Sequence, residues 1–159
     1  MEQNHPKPFD LQDSVTAKIY KLSQRHASQA ARVLRELSGP PLSEWRILMV
    51  LATYGPSTAA EISRYLQLDD SLVSRTIKVM LRKGFLQSAP DPKDRRASNL
   101  SLSKEGSTLY ERMRPGMHRR RAAVHDALTT EEHNTLRALL AKLDRRMDEI
   151  DEFLQSDIE

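Results

Sequence analysis

A chain of 159 residues is long enough for one domain, or for two tightly merged parts, and without cysteine it excludes disulfides, thiolate metal sites and thiol redox sensing. Its hydrophobic content of 38% and mean hydropathy of −0.61 are low for an isolated globule, but suit a helical protein that shares a second core with a copy of itself. The formal charge of +3 and pI near 9.3 point modestly to a polyanionic partner, and the polar opening with no long apolar run leads us to expect a cytoplasmic protein without signal peptide or membrane span.

Residues from about Asp10 to Leu37 read as one long helix, with Leu11, Val15, Ile19, Leu22, Ala30, Val33, Leu34 and Leu37 on one face and His26 interrupting the stripe. Ser38-Gly-Pro-Pro41 breaks it. Ser43 is expected to cap a second helix, Glu44 to about Tyr54, with Trp45, Leu48, Met49, Leu51 and Ala52 facing inward before Gly55-Pro56 stops it. Thr58-Ala-Ala-Glu61 matches a capping box, in which a hydroxyl and a carboxylate satisfy two otherwise unpaired backbone N–H groups. That helix runs through Leu66, and Gln67-Leu-Asp-Asp70 is the following turn, with Asp69 or Asp70 as the next N-cap.

Leu72, Val73, Thr76, Ile77, Met80 and Leu81 then fall at helical spacing from Ser71 to Lys83, and Gly84 ends the run as a residue tolerant of positive φ. Two short alternating runs follow, joined by Asp91-Pro-Lys-Asp94-Arg95-Arg96, which is a hairpin signal. Ser103 is expected to cap a fifth helix to about Ala127, with Leu109, Met113 and Met117 inside and Pro115 bending it. A second capping box, Thr129-Thr-Glu-Glu132, opens a last helix in which Leu136, Leu140, Leu143, Met147, Ile150 and Leu154 form a heptad seam.

The fold class expected is therefore mainly α with a small two-stranded β-wing: a winged helix-turn-helix plus a helical dimerisation region. The lobe is assigned to residues 43–102 and the dimerisation region to 1–42 and 103–159. The seam needs a partner helix. A homodimer supplies one by two-fold symmetry, and packing on the first helix of the same chain is the rival arrangement.

Charge follows the same division. Arg75, Lys78, Arg82, Lys83, Lys93, Arg95 and Arg96 crowd the helix and hairpin against only Asp91 and Asp94, whereas the chain after Leu143 is predominantly acidic. On the second helix of the helix-turn-helix, Arg75 is placed to reach guanine O6 and N7 bidentately, with Ser71 and Ser74 beside it for phosphates or base edges. Lys78 and Arg82 lie one and two turns on, suited to phosphates. At the hairpin tip Arg95 suits the negative potential of a minor groove and Lys93 a phosphate. The partner implied is double-stranded DNA, and for a dimer a near-palindromic operator with recognition helices roughly 34 Å apart. A merely solvated basic face is the plainer alternative.

The element order, the string Asp91-Pro-Lys-Asp94-Arg95-Arg96 with Leu100-Ser-Leu-Ser-Lys-Glu-Gly106, and Ser74-Arg75 with Lys83-Gly84-Phe85-Leu86 together resemble the MarR family of bacterial transcriptional regulators. The resemblance covers essentially the whole chain. It implies that the first and last two helices dimerise, and that Asp94 and Arg96 brace the wing, Arg96 being kept among the candidate DNA contacts. Ser88-Ala89 stand where many members carry a basic residue, so that phosphate contact is not carried over.

The resemblance also implies a small effector, often an aromatic acid, held between the dimerisation helices and the DNA-binding lobe. His26, Trp45 and Arg46 are the groups best suited to an anionic aromatic ligand, with Ser28 an outsider. The plainer reading makes His26 a core histidine, Trp45 a core anchor and Arg46 an ion-pair partner of Glu44 or Asp70. His118, His125 and His133 lack a third ligand and are read as solvated, so no metal or cofactor is expected. Nothing points to catalysis: there is no Gly-rich phosphate loop, no paired carboxylates in an apolar setting and no nucleophile with a visible base. The function expected is a ligand-responsive repressor associated with the nucleoid, and the alternative is a protein–protein adaptor that keeps a winged helix without reading DNA.

Overall fold

The breaks in apolar periodicity after Leu37, Tyr54 and Leu66 separate successive helices in the computed structural model, which describes residues 14–90 and 98–156. The elements are α1 (Val15–Glu36), α2 (Leu42–Tyr54), α3 (Ala59–Leu66), α4 (Asp70–Arg82), β1 (Leu86–Pro90), β2 (Ser98–Leu102), α5 (Lys104–His125) and α6 (Thr130–Ser156). The strands pair antiparallel, with Leu86 opposite Leu102 and Pro90 opposite Ser98. Ser57 extends this small sheet through mutual backbone bonds with Leu100 at 3.0 and 2.9 Å. The architecture is mainly α with a two-stranded wing, as the sequence leads one to expect.

The chain divides into two compact units, residues 1–118 and 119–159. In the first, the core is aliphatic and methionine-rich: Leu34, Ile47, Leu48, Ile62, Val73, Met80 and Met113 are almost wholly buried. Leu86 and Leu100 carry the sheet into that core, and Leu109 and Met117 join it from α5. The few aromatics expected from composition leave one ring contact inside it, Trp45 of α2 stacked on Tyr110 of α5 at 5.3 Å between centroids.

Helix starts follow their caps. Thr58 and Glu61 form the full capping box of α3, and Thr129 with Glu132 makes the same bonds at the start of α6. Ser103 Oγ accepts from Gly106 N at 3.0 Å to open α5. The start of α2 corrects the sequence reading: Pro41 is the N-cap, no side chain caps the helix, and Ser43 lies inside it. A proline is tolerated there because the first N–H groups of a helix have no intrahelical partner to lose.

Two further expectations are revised. Met49 is 40% exposed and Ala52 is also exposed, so the inward face of α2 is Trp45, Ile47, Leu48, Val50 and Leu51. On α1 Ala30 and Leu34 are buried, and Val15, Ile19 and Leu22 are exposed; His26 is exposed too, so the plainer reading of it as a core histidine does not hold.

Candidate nucleic-acid interface

The helix-turn-helix is α3, a turn, and α4. Gln67 takes the left-handed conformation (φ 50°) that ends α3, and Leu68 N donates to Ser63 O at 3.2 Å. Asp69 then caps α4, accepting from Leu72 N at 3.0 Å and from the Ser71 hydroxyl. The Ser71 hydroxyl first and the Leu72 amide second hold the Asp69 carboxyl below its usual value of 3.8. Because that value is lowered, the charged cap supports the folded helix above 3.8 and loses its effect only as pH falls further.

One face of α4 is fixed by packing. Val73, Thr76, Ile77 and Met80 are buried, and Thr76 Oγ1 donates to Leu72 O at 2.9 Å. The opposite face presents Ser71, Arg75, Lys78 and Arg82, all exposed, with Ser74 half-buried at the margin. At 3.6 residues per turn these four exposed residues fall within a sector of about 60°. Three cations thus line a single stripe on the solvent side of a rigidly seated helix. Arg75 Nε donates to Ser71 O at 3.2 Å, so the guanidinium is folded back along its own helix.

The wing rises beside this helix from Leu86 to Pro90 and returns from Ser98 to Leu102. Lys93, Arg95 and Arg96, with Asp94, lie outside the described residues. Its base is pinned: Gly84 adopts φ 74°, Phe85 N donates to Met80 O at 3.0 Å, and Ser103 Oγ donates to Gly84 O at 2.6 Å.

Of the candidate ligand groups, Trp45 is 5% exposed with its ring stacked on Tyr110, Arg46 is half-buried on the same helix, and His26 is exposed on α1. Glu44 pairs with Lys83 (Nζ–Oε1 2.6 Å), not with Arg46. No local pattern marks that pair, whose members are 39 positions apart. Nor did periodicity mark the exposed stack of Tyr54 on Tyr65 (centroids 4.3 Å), with Arg64 over the Tyr65 ring at 5.9 Å. An open groove of about 350 Å³ between Phe85 and the first turns of α5 was likewise unsignalled; Lys104, Glu105 and Arg112 are among its lining residues.

In the second unit His125 and His133 stack at 4.1 Å, and a 2.7 Å hydrogen bond joins His133 Nε2 to His125 O. Among the described residues no group of three or more His, Cys, Asp or Glu side chains could hold a metal ion, and no helix is long and apolar enough to cross a membrane.

A helix-turn-helix with a basic outer stripe, followed by a pinned hairpin, defines a winged-helix protein of the nucleic-acid-binding class. Residues 38–97 match the model of the MarR family. A transcriptional repressor of Pseudomonas putida, NicR, is 27% identical over 110 residues, 68% of each chain. A MarR/EmrR family regulator of Acinetobacter superposes with a TM-score of 0.79 at 26% identity, over 88% of this chain and 99% of that one. BpsR of Bordetella bronchiseptica, whose DNA binding is regulated by 6-hydroxynicotinic acid, shares the fold with a TM-score of 0.74 at 21% identity, over 86% and 97% of the chains. Over residues 38–97 the chain is thus similar to the MarR family, and the relatives it matches are transcriptional regulators.

Proposed function

We propose that the protein is a homodimeric repressor that binds a near-palindromic DNA operator and is released from it by a small anionic aromatic ligand. The observation that carries the DNA reading is the stripe of Ser71, Arg75, Lys78 and Arg82 on the exposed side of α4, whose other side is locked in the core. Arg75 is the base-reading group, Lys78 and Arg82 contact phosphates, and Ser71 and Ser74 bond phosphates or base edges. In the wing, Arg95 enters the minor groove, Lys93 meets a phosphate and Arg96 braces the hairpin or joins the contacts.

Residues 43–102 form the DNA-binding lobe, and 1–42 with 103–159 the dimerisation region. The exposed seam of α6, where Leu136, Leu140, Leu143, Met147 and Ile150 are 36–48% exposed, supports a second copy as its cover. Acting on the chromosome places the protein in the cytoplasm with the nucleoid. For the effector, Arg46 and His26 supply the charge that would pair with a carboxylate, and Trp45 the aromatic wall. The effector acts by preferring the dimer in which both recognition helices cannot seat together.

Fluorescence anisotropy with duplexes from the region upstream of the gene tests this reading. Affinity should fall steeply between about 50 and 200 mM salt, as expected for several phosphate contacts. A small aromatic carboxylate that raises the melting temperature should also release the duplex. No binding at low salt would favour a protein–protein adaptor, for which the exposed Tyr54–Tyr65 stack would be the first surface to examine.

A further inference from the structure

Among the described residues three helices carry a glutamate at their third position, and one of the three is denied its usual partner. In α3 and α6 that glutamate reaches back to the N–H of the cap residue: Thr58 N to Glu61 Oε2 and Thr129 N to Glu132 Oε2 are each 2.8 Å. In α2 the cap residue is Pro41, which has no N–H to offer. Glu44 therefore turns across to α4, where its Oε1 lies 2.6 Å from Lys83 Nζ. The carboxylate is buried at 4% exposure, and its Oε2 accepts no hydrogen bond among the described residues. The Lys83 side chain remains 43% exposed, and a pair that buries its acid and leaves one carboxylate oxygen unpaired is a poor source of stability, since an apolar residue of the same size would serve the core as well or better.

What the pair holds is the end of the DNA-facing helix. Lys83 is the C-cap of α4, followed by the left-handed Gly84 and the closing bond from Phe85 N to Met80 O. From the other side, Ser103 at the start of α5 bonds Gly84 O through its hydroxyl and Phe85 O through its N–H. The last turn of α4 is thus clamped between the starts of α2 and α5. Arg75 lies eight residues back, about 12 Å along the axis at 1.5 Å per residue, so a small tilt at this clamp moves the guanidinium relative to a base edge. We propose that Glu44 is a positioning residue for DNA recognition: through Lys83 it sets the axis of α4 and so aims Arg75, without touching DNA itself. This rests on the DNA-binding reading above.

Glu44→Gln separates positioning from a plain charge effect, because the two move affinity in opposite directions. If Lys83 were a phosphate contact restrained by Glu44, removing the acid would free a cation and tighten binding to every duplex. If Glu44 positions α4, the variant loses preference for a duplex selected by the wild-type protein from a randomised pool over a scrambled duplex. The expected loss is about 3- to 30-fold, the range for residues that act through a contact. Amide exchange in the DNA-free protein should quicken at Val79–Lys83, with a melting temperature within about 3 °C of wild type. Lys83→Arg, which keeps the pair, should keep the preference.

Should Glu44→Gln fail to fold, Glu44→Gln with Lys83→Met removes both charges and should fold yet show the same loss. Unchanged preference, uniformly tighter binding, or unchanged exchange at the end of α4 would each overturn the proposal. A wild-type protein that enriches no duplex overturns the DNA reading and this role with it, while the exchange result still decides whether Glu44 holds α4.

Discussion

Arg75 rests in the free protein on a neutral acceptor, the Ser71 carbonyl at 3.2 Å. Leaving it forfeits a single exposed hydrogen bond, a small loss against a bidentate contact to guanine. Arg75→Ala should therefore cost about 1–3 kcal/mol on the operator and flatten preference at one position per half-site, measured by anisotropy against single-base variants. An equal loss on every sequence would make Arg75 a phosphate contact instead. The stripe itself was legible, because residues spaced by three and four must share a helix face. What the spacing could not show is that the Ser71 hydroxyl is already engaged by Asp69, or that Lys83, counted with the other cations, is neutralised by a buried Glu44. Both facts depend on where side chains meet, and the second joins segments that only the tertiary fold brings together.

At the scale of elements, caps were the most readable signal because a cap is local chemistry within four residues. Thr58 with Glu61, Thr129 with Glu132, Asp69 and Ser103 all act where the sequence put them. The α2 start escaped because a proline cap leaves no side-chain signature, and the nearby Ser43 offered a false one. Gly106 shows another limit: its role is spatial. A Cβ built there would fall far inside van der Waals contact distance of the Phe85 carbonyl oxygen, so the first turn of α5 can pack on the base of the wing only without a side chain. Gly106→Ala should lower stability by about 1–3 kcal/mol, the usual cost of overpacking, read from thermal or denaturant unfolding. Wild-type stability in that variant would mean the α5 start shifts freely and does not fix the wing.

For the whole molecule, periodicity reports that a face is apolar but not what covers it. The apolar stripe on α1 is one such face: Val15 is 60%, Ile19 41% and Leu22 67% exposed. On α6, Leu136, Leu140, Leu143, Met147 and Ile150 keep their heptad spacing while remaining more than a third exposed. Each stripe by itself leaves large apolar side chains open to water, which is the mark of a surface that meets a partner. A second copy would bury it, and two lobes on one operator would each raise the other's effective concentration. Leu143→Asp places a charge in the middle of that seam, where burial would cost several kcal/mol without a counter-ion. Sedimentation should then give monomers with unchanged helix content, since Leu143 is 36% exposed on α6. Operator affinity should fall by about 100-fold or more as bivalency is lost, while binding of a single half-site by each lobe is unaffected. If the variant remains a dimer with wild-type affinity, the seam of α6 is covered by something other than its own symmetry mate, and the pairing of two DNA-binding lobes must be sought on α1.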